Sequence, residues 1–270
     1  MQNEKINIIK LLICTERLAI EKELEHSLES VDDYLERFME ARNYDILQTI
    51  EMIRNHVKWY NRTVLPLRNL SSIEVLKCNP KVLKDHLPCW IQGCDKKDGP
   101  VLFSYWGNAK IHELLKKKEI KSIDNVIHYL IWINEQMVKL LMNQSLKCQK
   151  KVGQWTFVVD ASDWNISAMS KESMNFAIKL AEISQNNYPG RLNRIFIINV
   201  PCMFSIFWSL FKNWLNKETQ ERIFIVAKKE VWEPLLKKYI NDNELPVRFG
   251  GTNPLIEIST EPVKIIKKLA

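Results

Sequence analysis

The chain lacks the short signatures of the common nucleotide-binding and hydrolytic sites. It has neither GxGxxG nor GxxxxGK(S/T), so the glycine-rich loops that hold phosphates in dinucleotide-binding and P-loop folds are missing. It has no GxSxG, the nucleophile turn of the α/β-hydrolases. His112-Glu113 is not followed by the second histidine of HExxH, which excludes that zinc pair. The sequence therefore predicts no catalytic residue, no metal ligand and no cofactor.

Cysteine spacing also excludes a class of site. The six cysteines include no CxxC pair, so neither a zinc knuckle nor a redox dithiol is expected. A chain of 270 residues can form a core without disulfides, and we expect free thiols in a reducing compartment. Cys89 and Cys94 are close enough to pair, although free thiols are the favoured interpretation.

Long apolar runs are missing as well. No stretch reaches the ~18 uninterrupted apolar residues of a membrane span. The nearest approach, Ile195–Phe211, is interrupted by Asn199 and Pro201. No signal peptide is apparent, because the apolar run Ile8–Ile13 is short and contains Lys10. We therefore expect a cytoplasmic protein.

The composition is that of a globular protein with a basic balance. Hydrophobic residues make up 46% and charged residues 26%, and the net charge is +7. A basic surface favours an anionic partner, either nucleic acid or an anionic membrane. The first sixty residues carry charges of both signs, so they form no basic arm for DNA, and no nucleic-acid partner is predicted.

The first third of the chain has helical periodicity. Apolar residues recur at helical spacing from Val31 to Met39 and again from Ile46 to Val57, with Asp45 as a plausible N-cap of the second helix. We predict a helical hairpin over residues 30–62 that packs on the rest of the protein. A boundary is expected within 61–85, giving a helical N-terminal subdomain at 1–65 and a second domain at 66–260.

The remaining chain alternates strands with helices. The predicted strands are Val101–Tyr105, Trp155–Asp160, Arg194–Val200 and Ile223–Ala227. The predicted helices are Ser122–Leu141, Ser170–Ser184, Cys202–Leu215 and Trp232–Ile240. Such alternation is typical of βαβ units, so the fold class is α/β with a mainly parallel sheet.

Four strings occur together in a fixed order. They are YLERFMEARNYD at 34–45, VVD at 158–160, ISQNNYPGRLNRIFIINVP at 183–201 and ELPVRFGGT at 244–252. In order and spacing they resemble the CRAL-TRIO lipid-transfer family, above all the fungal phosphatidylinositol/phosphatidylcholine transfer proteins. The resemblance implies a helical N-terminal subdomain and an α/β lipid pocket closed by a mobile gate helix.

The resemblance also implies a binding site for the lipid headgroup. Arg42, Arg191, Thr219 and Arg222 match the inositol-headgroup positions of the family. Arg222 stands where the relatives usually have lysine, and Gly190 where they have glutamate. Arginine suits a phosphate because its planar guanidinium donates two parallel hydrogen bonds.

The corresponding choline-lipid positions are apolar. Trp155 and Phe157 stand where the family has small hydroxyl residues, and Leu102 where it has a tyrosine. We expect weak transfer of phosphatidylcholine relative to phosphatidylinositol, although Trp155 also suits ordinary core packing. A second ligand could be another lipid or a sterol-like molecule.

The segment Cys202–Leu215 is apolar on nearly all sides. Its aromatic residues include Phe204, Phe207, Trp208 and Phe211, so it must be buried on both faces or meet lipid. A membrane span and a core helix are the alternatives, and Pro201 opposes the span. We predict a gate helix with hinges at Pro201 and at Asn216–Thr219. Gly250-Gly251 is predicted to be a structural turn that holds the chain beside this gate.

These observations predict a monomeric, peripherally membrane-associated protein without covalent chemistry. It would carry one phospholipid, most closely phosphatidylinositol, as cargo, and would exchange it at a membrane surface or present it to lipid-modifying enzymes. Two alternatives stay open at this point. One is an enzyme on an α/β scaffold, such as a lipid hydrolase, and the other is a non-exchanging regulatory module with a vestigial pocket.

Overall fold

The computed structural model describes residues 2–27, 29–84, 86–107, 111–165, 169–254 and 263–264. Within them the strands are β1 Cys89–Cys94, β2 Pro100–Tyr105, β3 Trp155–Asp160, β4 Leu192–Ile198 and β5 Ile223–Val226. They form one sheet in sequence order, with β1 antiparallel to β2 and the other neighbours parallel. The predicted α/β class with a mainly parallel sheet is confirmed.

Helices make up most of the remaining described chain. The α-helices are α1 Gln2–Thr15, α2 Glu21–Ser27, α3 Val31–Glu40, α4 Ile46–Trp59, α5 Ser72–Leu76, α6 Ile111–Leu114, α7 Ile123–Cys148, α8 Lys171–Asn187, α9 Phe204–Phe211, α10 Lys217–Glu221 and α11 Lys229–Tyr239. The predicted N-cap is confirmed, because the Asp45 side chain accepts a hydrogen bond from the Gln48 amide at 2.9 Å. Among the described helices none is long and apolar enough to span a membrane.

The four N-terminal helices have a hydrophobic core of their own. It runs from Ile9 in α1 to Val57 in α4, and Tyr34 and Phe38 lie at its centre. Helix α4 continues without a break into a π-helical turn, Tyr60–Val64. This turn packs in a second hydrophobic core, the main core, which includes residues of α5, α7 and β2. Short helical turns packed against the main core therefore occupy most of the segment 61–85, where the boundary was expected.

The two faces of the sheet carry alternate residues of each strand. Phe103, Val158 and Phe196 lie on the back face with α11 and Phe249. The front face is covered by the connections between the parallel strands, which take the same hand and therefore lie on one side. Phe157 and Ile197 point to that side, beneath α9.

Gly250-Gly251 is a structural turn, and its close contacts are with α11 and Leu245. Gly250 has a φ of +86°, which favours glycine, and a Cβ there would lie 2.5 Å from Cδ of Glu233 in α11. A Cβ on Gly251 would lie 2.0 Å from the carbonyl oxygen of Leu245. The close approach that requires glycine is thus to α11 on the back face, and a contact with the gate helix stays a prediction.

Candidate functional site

An apolar cavity lies between the front face of the sheet and helices α7, α8 and α9. Its volume is about 300 Å³, at the lower end of the range of ligand pockets. Most of its wall comes from the sheet and three helices, including Leu102, Phe157, Ile195 and Ile197 from the sheet, Leu130, Ile131 and Ile133 from α7, Phe176, Ala177, Leu180 and Ala181 from α8, and Phe207, Trp208 and Phe211 from α9. Helix faces that would otherwise pack on the sheet thus enclose a space.

No charged side chain lines this cavity among the described residues. The few polar groups in its wall include the Ser104 hydroxyl, which already donates to the carbonyl oxygen of Pro88 at 3.0 Å. A buried ion without a partner costs several kcal/mol. The cavity therefore suits hydrocarbon, and a charged group on the same ligand must stay at the opening.

The three positions predicted as apolar replacements all face this cavity. Leu102, Trp155 and Phe157 line it from adjacent strands. Trp155 also packs edge-on against the Tyr188 ring, 6.1 Å between centroids, so it serves the core as well as the cavity wall.

Helix α9 covers the cavity with apolar side chains on both of its faces. Phe207, Trp208 and Phe211 line the cavity, whereas Phe204 packs beside it against Trp164 at 5.3 Å between ring centroids. On the outer side, four large apolar residues of this segment are 41–54% exposed, namely Met203, Ile206, Leu210 and Trp214. The helix is shorter than predicted, because its last turn, Lys212–Trp214, tightens to a 3₁₀-helix.

Three of the four predicted headgroup residues lie near the end of the cavity beside α10. Thr219 lines the cavity, and Arg222 follows one turn later. Arg42 reaches α8, where its Nη2 is 3.5 Å from Oδ1 of Asn186. Burial and the negative charges of Glu36 and Glu218 raise the pKa of Glu40, and the positive charge of Arg222 opposes them. The end of α3, where Glu40 lies, is therefore close to α10 and Arg222.

Arg222 has an internal partner at this place. Its Nη2 donates to Oε1 of Glu218 at 2.7 Å, and its Nη1 contacts the carbonyl oxygen of Leu192. The Arg222 side chain is still partly exposed, so an incoming anion can compete with Glu218 for it.

Arg191, the fourth predicted headgroup residue, is buried in an ion pair with the N-terminal helices. Its side chain is 7% exposed, and its Nη2 donates to Oε2 of Glu29 at 2.8 Å. Glu29 also accepts from Arg37, whose Nη1 donates to the carbonyl oxygen of Pro189 at 2.9 Å. Burial and the adjacent Arg37 guanidinium lower the pKa of Arg191 to about 10. Arg191 therefore ties the N-terminal helices to the chain before β4, and its predicted headgroup role requires that ion pair to open.

A comparison with known proteins extends these observations. The family model described as "CRAL/TRIO domain" matches residues 84–251, which is more than half of the chain. The chain belongs to the CRAL/TRIO domain family. The matched range contains the whole sheet, α6 to α11 and all the residues that line the cavity.

The CRAL/TRIO relatives include proteins named for lipid transfer. The chain is 27% identical over 232 residues to the Arabidopsis thaliana protein "Phosphatidylinositol/phosphatidylcholine transfer protein SFH12", covering 83% of this chain and 40% of the relative. It is 28% identical over 232 residues to the "SEC14 cytosolic factor" of Candida glabrata, covering 84% of this chain and 72% of that protein. The chain thus spans less than half of the longer plant relative.

A solved structure shares the fold of this CRAL/TRIO chain. The crystal structure of Sfh5 superposes with a TM-score of 0.67 and 17% identity, covering 97% of this chain and 91% of that chain. The superposition extends beyond residues 84–251 and includes the N-terminal helices.

Several residues of the CRAL/TRIO strings meet around the buried Asp160 carboxylate at the carboxyl end of the sheet. Arg248 donates to Oδ2 of Asp160 through Nη2 at 2.7 Å and Nε at 3.2 Å. Asn199 donates to Oδ1 of Asp160 at 3.0 Å and accepts from the Trp232 indole at 2.8 Å. Asn199 has a φ of +56°, which asparagine tolerates. The second, third and fourth strings therefore meet where the chain leaves β4 for α9.

Sequence patterns did not identify the largest part of the cavity wall. The apolar faces of α7 and α8 were predicted as helix faces, but periodicity cannot distinguish a face that packs on a sheet from one that lines a space. The Glu29–Arg191 pair joins residues that are 162 positions apart. No local signal could have found it.

Proposed function

We propose that this CRAL/TRIO domain carries one phospholipid, with the acyl chains in the apolar cavity, and exchanges it at a membrane when α9 opens. The observation that carries the proposal is the uncharged cavity of about 300 Å³ beneath a helix that is apolar on both faces. Movement of α9 would widen access to this cavity, and α9 is the wall whose outer face is also apolar.

The headgroup would stay at the opening, because the cavity offers a charged group no partner. Thr219 lies in the wall at that end, and Arg222 and Arg42 are close by and partly exposed. Hydrogen bonds from a guanidinium to phosphate are stronger than those between neutral groups. We therefore propose phosphatidylinositol as the preferred cargo, with Arg42, Thr219 and Arg222 at its headgroup. Arg191 remains a predicted ligand only if it releases Glu29.

The outer face of α9 supports a transient membrane partner. Ile206, Leu210 and Trp214 are each more than half exposed, and tryptophan is enriched where protein meets the membrane interface. The net charge of +7 would add attraction to an anionic leaflet. The proposed protein thus works as a monomer that docks through α9, exchanges its lipid and leaves.

Transfer between vesicles tests this proposal. Donor vesicles with labelled phosphatidylinositol or phosphatidylcholine are mixed with unlabelled acceptor vesicles, with and without the protein. We expect faster transfer of phosphatidylinositol than of phosphatidylcholine, because Leu102, Trp155 and Phe157 stand where the family has hydroxyl groups at its choline-lipid positions. Equal rates would retire the selectivity, and no transfer of either lipid would retire the exchange function. Breakdown of the labelled lipid would favour a hydrolase.

A further inference from the structure

The α9 segment makes few polar contacts with its surroundings. Among the described residues, its side-chain hydrogen bonds are local: Ser205 Oγ donates to the carbonyl oxygen of Cys202 at 2.9 Å, and Ser209 Oγ to that of Ile206 at 2.8 Å. The helix is held over the cavity by apolar packing along its length. Whatever polar contact holds it closed must therefore act at one of its ends.

One side chain of α8 contacts the chain directly after α9. Nε2 of Gln185 donates to the carbonyl oxygen of Trp214 at 3.0 Å, and Oε1 of Gln185 accepts from the amide of Asn216 at 2.5 Å. The two bonds lie on either side of Leu215, which is buried and lines the cavity. The side-chain amide of Gln185 thus binds one backbone carbonyl and one backbone amide. It holds the segment between α9 and α10 against α8.

The turn that Gln185 contacts is stabilised from within. Nε2 of Gln220 donates to the carbonyl oxygens of Lys212 and Leu215, both at 2.9 Å. Oδ1 of Asn216 accepts from the amide of Thr219 at 2.7 Å and so caps α10. These internal hydrogen bonds do not depend on Gln185, so the turn keeps its shape when its contact with α8 breaks.

Gln185 is suited to a contact that opens and closes repeatedly. It is partly exposed at the rim of the cavity, so water can replace both of its hydrogen bonds when the helix moves away. A buried ion pair at the same place would be far more costly to separate.

We propose that Gln185 is the latch of α9, a positioning residue that holds the helix closed at its C-terminal end and sets the rate of opening. The latch rests on the proposed function in one respect, namely that opening of α9 is the step that releases the cargo.

The test replaces Gln185 by methionine, which keeps the length of the side chain and its helix propensity and removes both hydrogen bonds. Glu182→Met, at an exposed position of the same helix, is the matched control. Two quantities are measured: the hydrogen exchange of the backbone amides in 212–216, and the rate at which bound fluorescent phosphatidylinositol leaves the protein for excess acceptor vesicles. Gln185→Glu keeps the acceptor for Asn216 and loses the donor to Trp214.

In Gln185→Met we expect faster exchange of these amides and release that is faster by about tenfold, the factor for two ordinary hydrogen bonds partly replaced by water. The unfolding midpoint should match that of Glu182→Met, and Gln185→Glu should release at an intermediate rate. Unchanged amide exchange, or faster amide exchange with release at the wild-type rate, would overturn the latch. A wild-type protein that holds no lipid contradicts the proposed function instead, and amide exchange alone then decides on the latch.

Discussion

The two faces of the sheet are built from alternate residues of the same strands, yet the back face is closely packed and the front face lines a cavity. On the back face, Phe103 stacks on Phe249 at 4.8 Å between ring centroids, and Phe196 stacks on Phe224 at 5.3 Å. On the front face, Phe157 and its neighbours line a cavity of about 300 Å³ roofed by α9.

This difference in packing indicates that the back face mainly stabilises the fold and that the front face is available to a ligand. The back face is close-packed against α11, so its side chains contribute fully to the free energy of folding. The front face leaves part of its apolar surface without protein contacts, which a ligand can supply. An apolar ligand in this space would add the dispersion contacts that the front face lacks.

Matched truncations of two phenylalanines should show the largest contrast. Phe196→Ala on the back face removes a fully buried ring, and we expect a loss of about 3–5 kcal/mol in the free energy of unfolding. Phe157→Ala on the front face enlarges an existing cavity, so we expect a loss of about 1–2 kcal/mol. Urea unfolding of both variants measures the contrast. Equal losses would mean that the front face is as closely packed as the back.

Exposed leucine and valine positions on the two sides test which surface meets the membrane. Leu210 on α9 and Val231 on α11 are 53% and 54% exposed, so an aspartate at either should leave the fold intact. We expect Leu210→Asp to slow lipid transfer by about tenfold or more, because a charge opposes insertion at the interface. Val231→Asp should transfer at the wild-type rate.

The melting temperatures of both variants serve as the control for that experiment. An equal slowing of transfer by Leu210→Asp and Val231→Asp would show that α9 is not the docking surface. Phe207→Asp extends the comparison to the inner face of α9, where the position is buried and the charge should lower stability as well as transfer.

Replacing Arg222 tests whether the headgroup lies at the opening of the cavity. Its replacement by alanine removes a charge-assisted hydrogen bond, and we expect transfer of phosphatidylinositol to fall about tenfold. Arg54→Ala, which breaks the exposed pairs with Glu16 and Glu51 in the N-terminal helices, is the control. A wild-type rate in Arg222→Ala would remove this arginine from the headgroup site.

Arg191→Ala distinguishes a headgroup ligand from a structural ion pair. If Arg191 serves mainly to hold Glu29, the variant should unfold at lower urea and lose transfer of both lipids together. A stable variant that loses only phosphatidylinositol transfer would return Arg191 to the headgroup.

The smallest expected effect depends on pH and concerns the wall behind the cavity. The Tyr188 ring lines the cavity, and its hydroxyl donates to Oε1 of Glu135 at 2.7 Å. Burial raises the pKa of Glu135 from 4.5 to about 7. The folded chain therefore keeps this proton longer than the unfolded chain, and stability falls as the pH rises from about 4.5 to about 7.

Glu135→Gln replaces the titrating carboxyl group by an amide that stays neutral, and the amide oxygen can still accept the hydrogen bond from Tyr188. Relative to wild type, the variant should gain roughly 1–2 kcal/mol in the free energy of unfolding at pH 8 and little at pH 5. Urea unfolding of the two proteins at both pH values measures the gain. A gain that does not depend on pH would contradict the assignment to this carboxyl.

The sequence predicted those elements whose signals are local. The stripes of α3 and α4, the N-cap Asp45 and the strand Trp155–Asp160 need only neighbouring residues for their recognition. Strand β1, Cys89–Cys94, was missed because Gln92 and Gly93 interrupt its apolar pattern and an antiparallel edge strand carries little signal.

The candidate site was predicted in its chemistry more than in its geometry. Aromatic residues at 204–211 and bulky residues at 155 and 157 indicated an apolar site, and the structure places most of them around one cavity. The ion pair that buries Arg191 could not be predicted. It depends on Glu29, whose approach to Arg191 follows from how the N-terminal helices dock.

The central claim is that the apolar cavity on the front face of the sheet holds the acyl chains of one phospholipid. Native mass spectrometry of the protein after incubation with mixed phospholipid vesicles tests it most directly. The account predicts one intact phospholipid per chain, with phosphatidylinositol enriched over phosphatidylcholine relative to the vesicles. A protein that emerges without lipid, or with only hydrolysed lipid products, would contradict it.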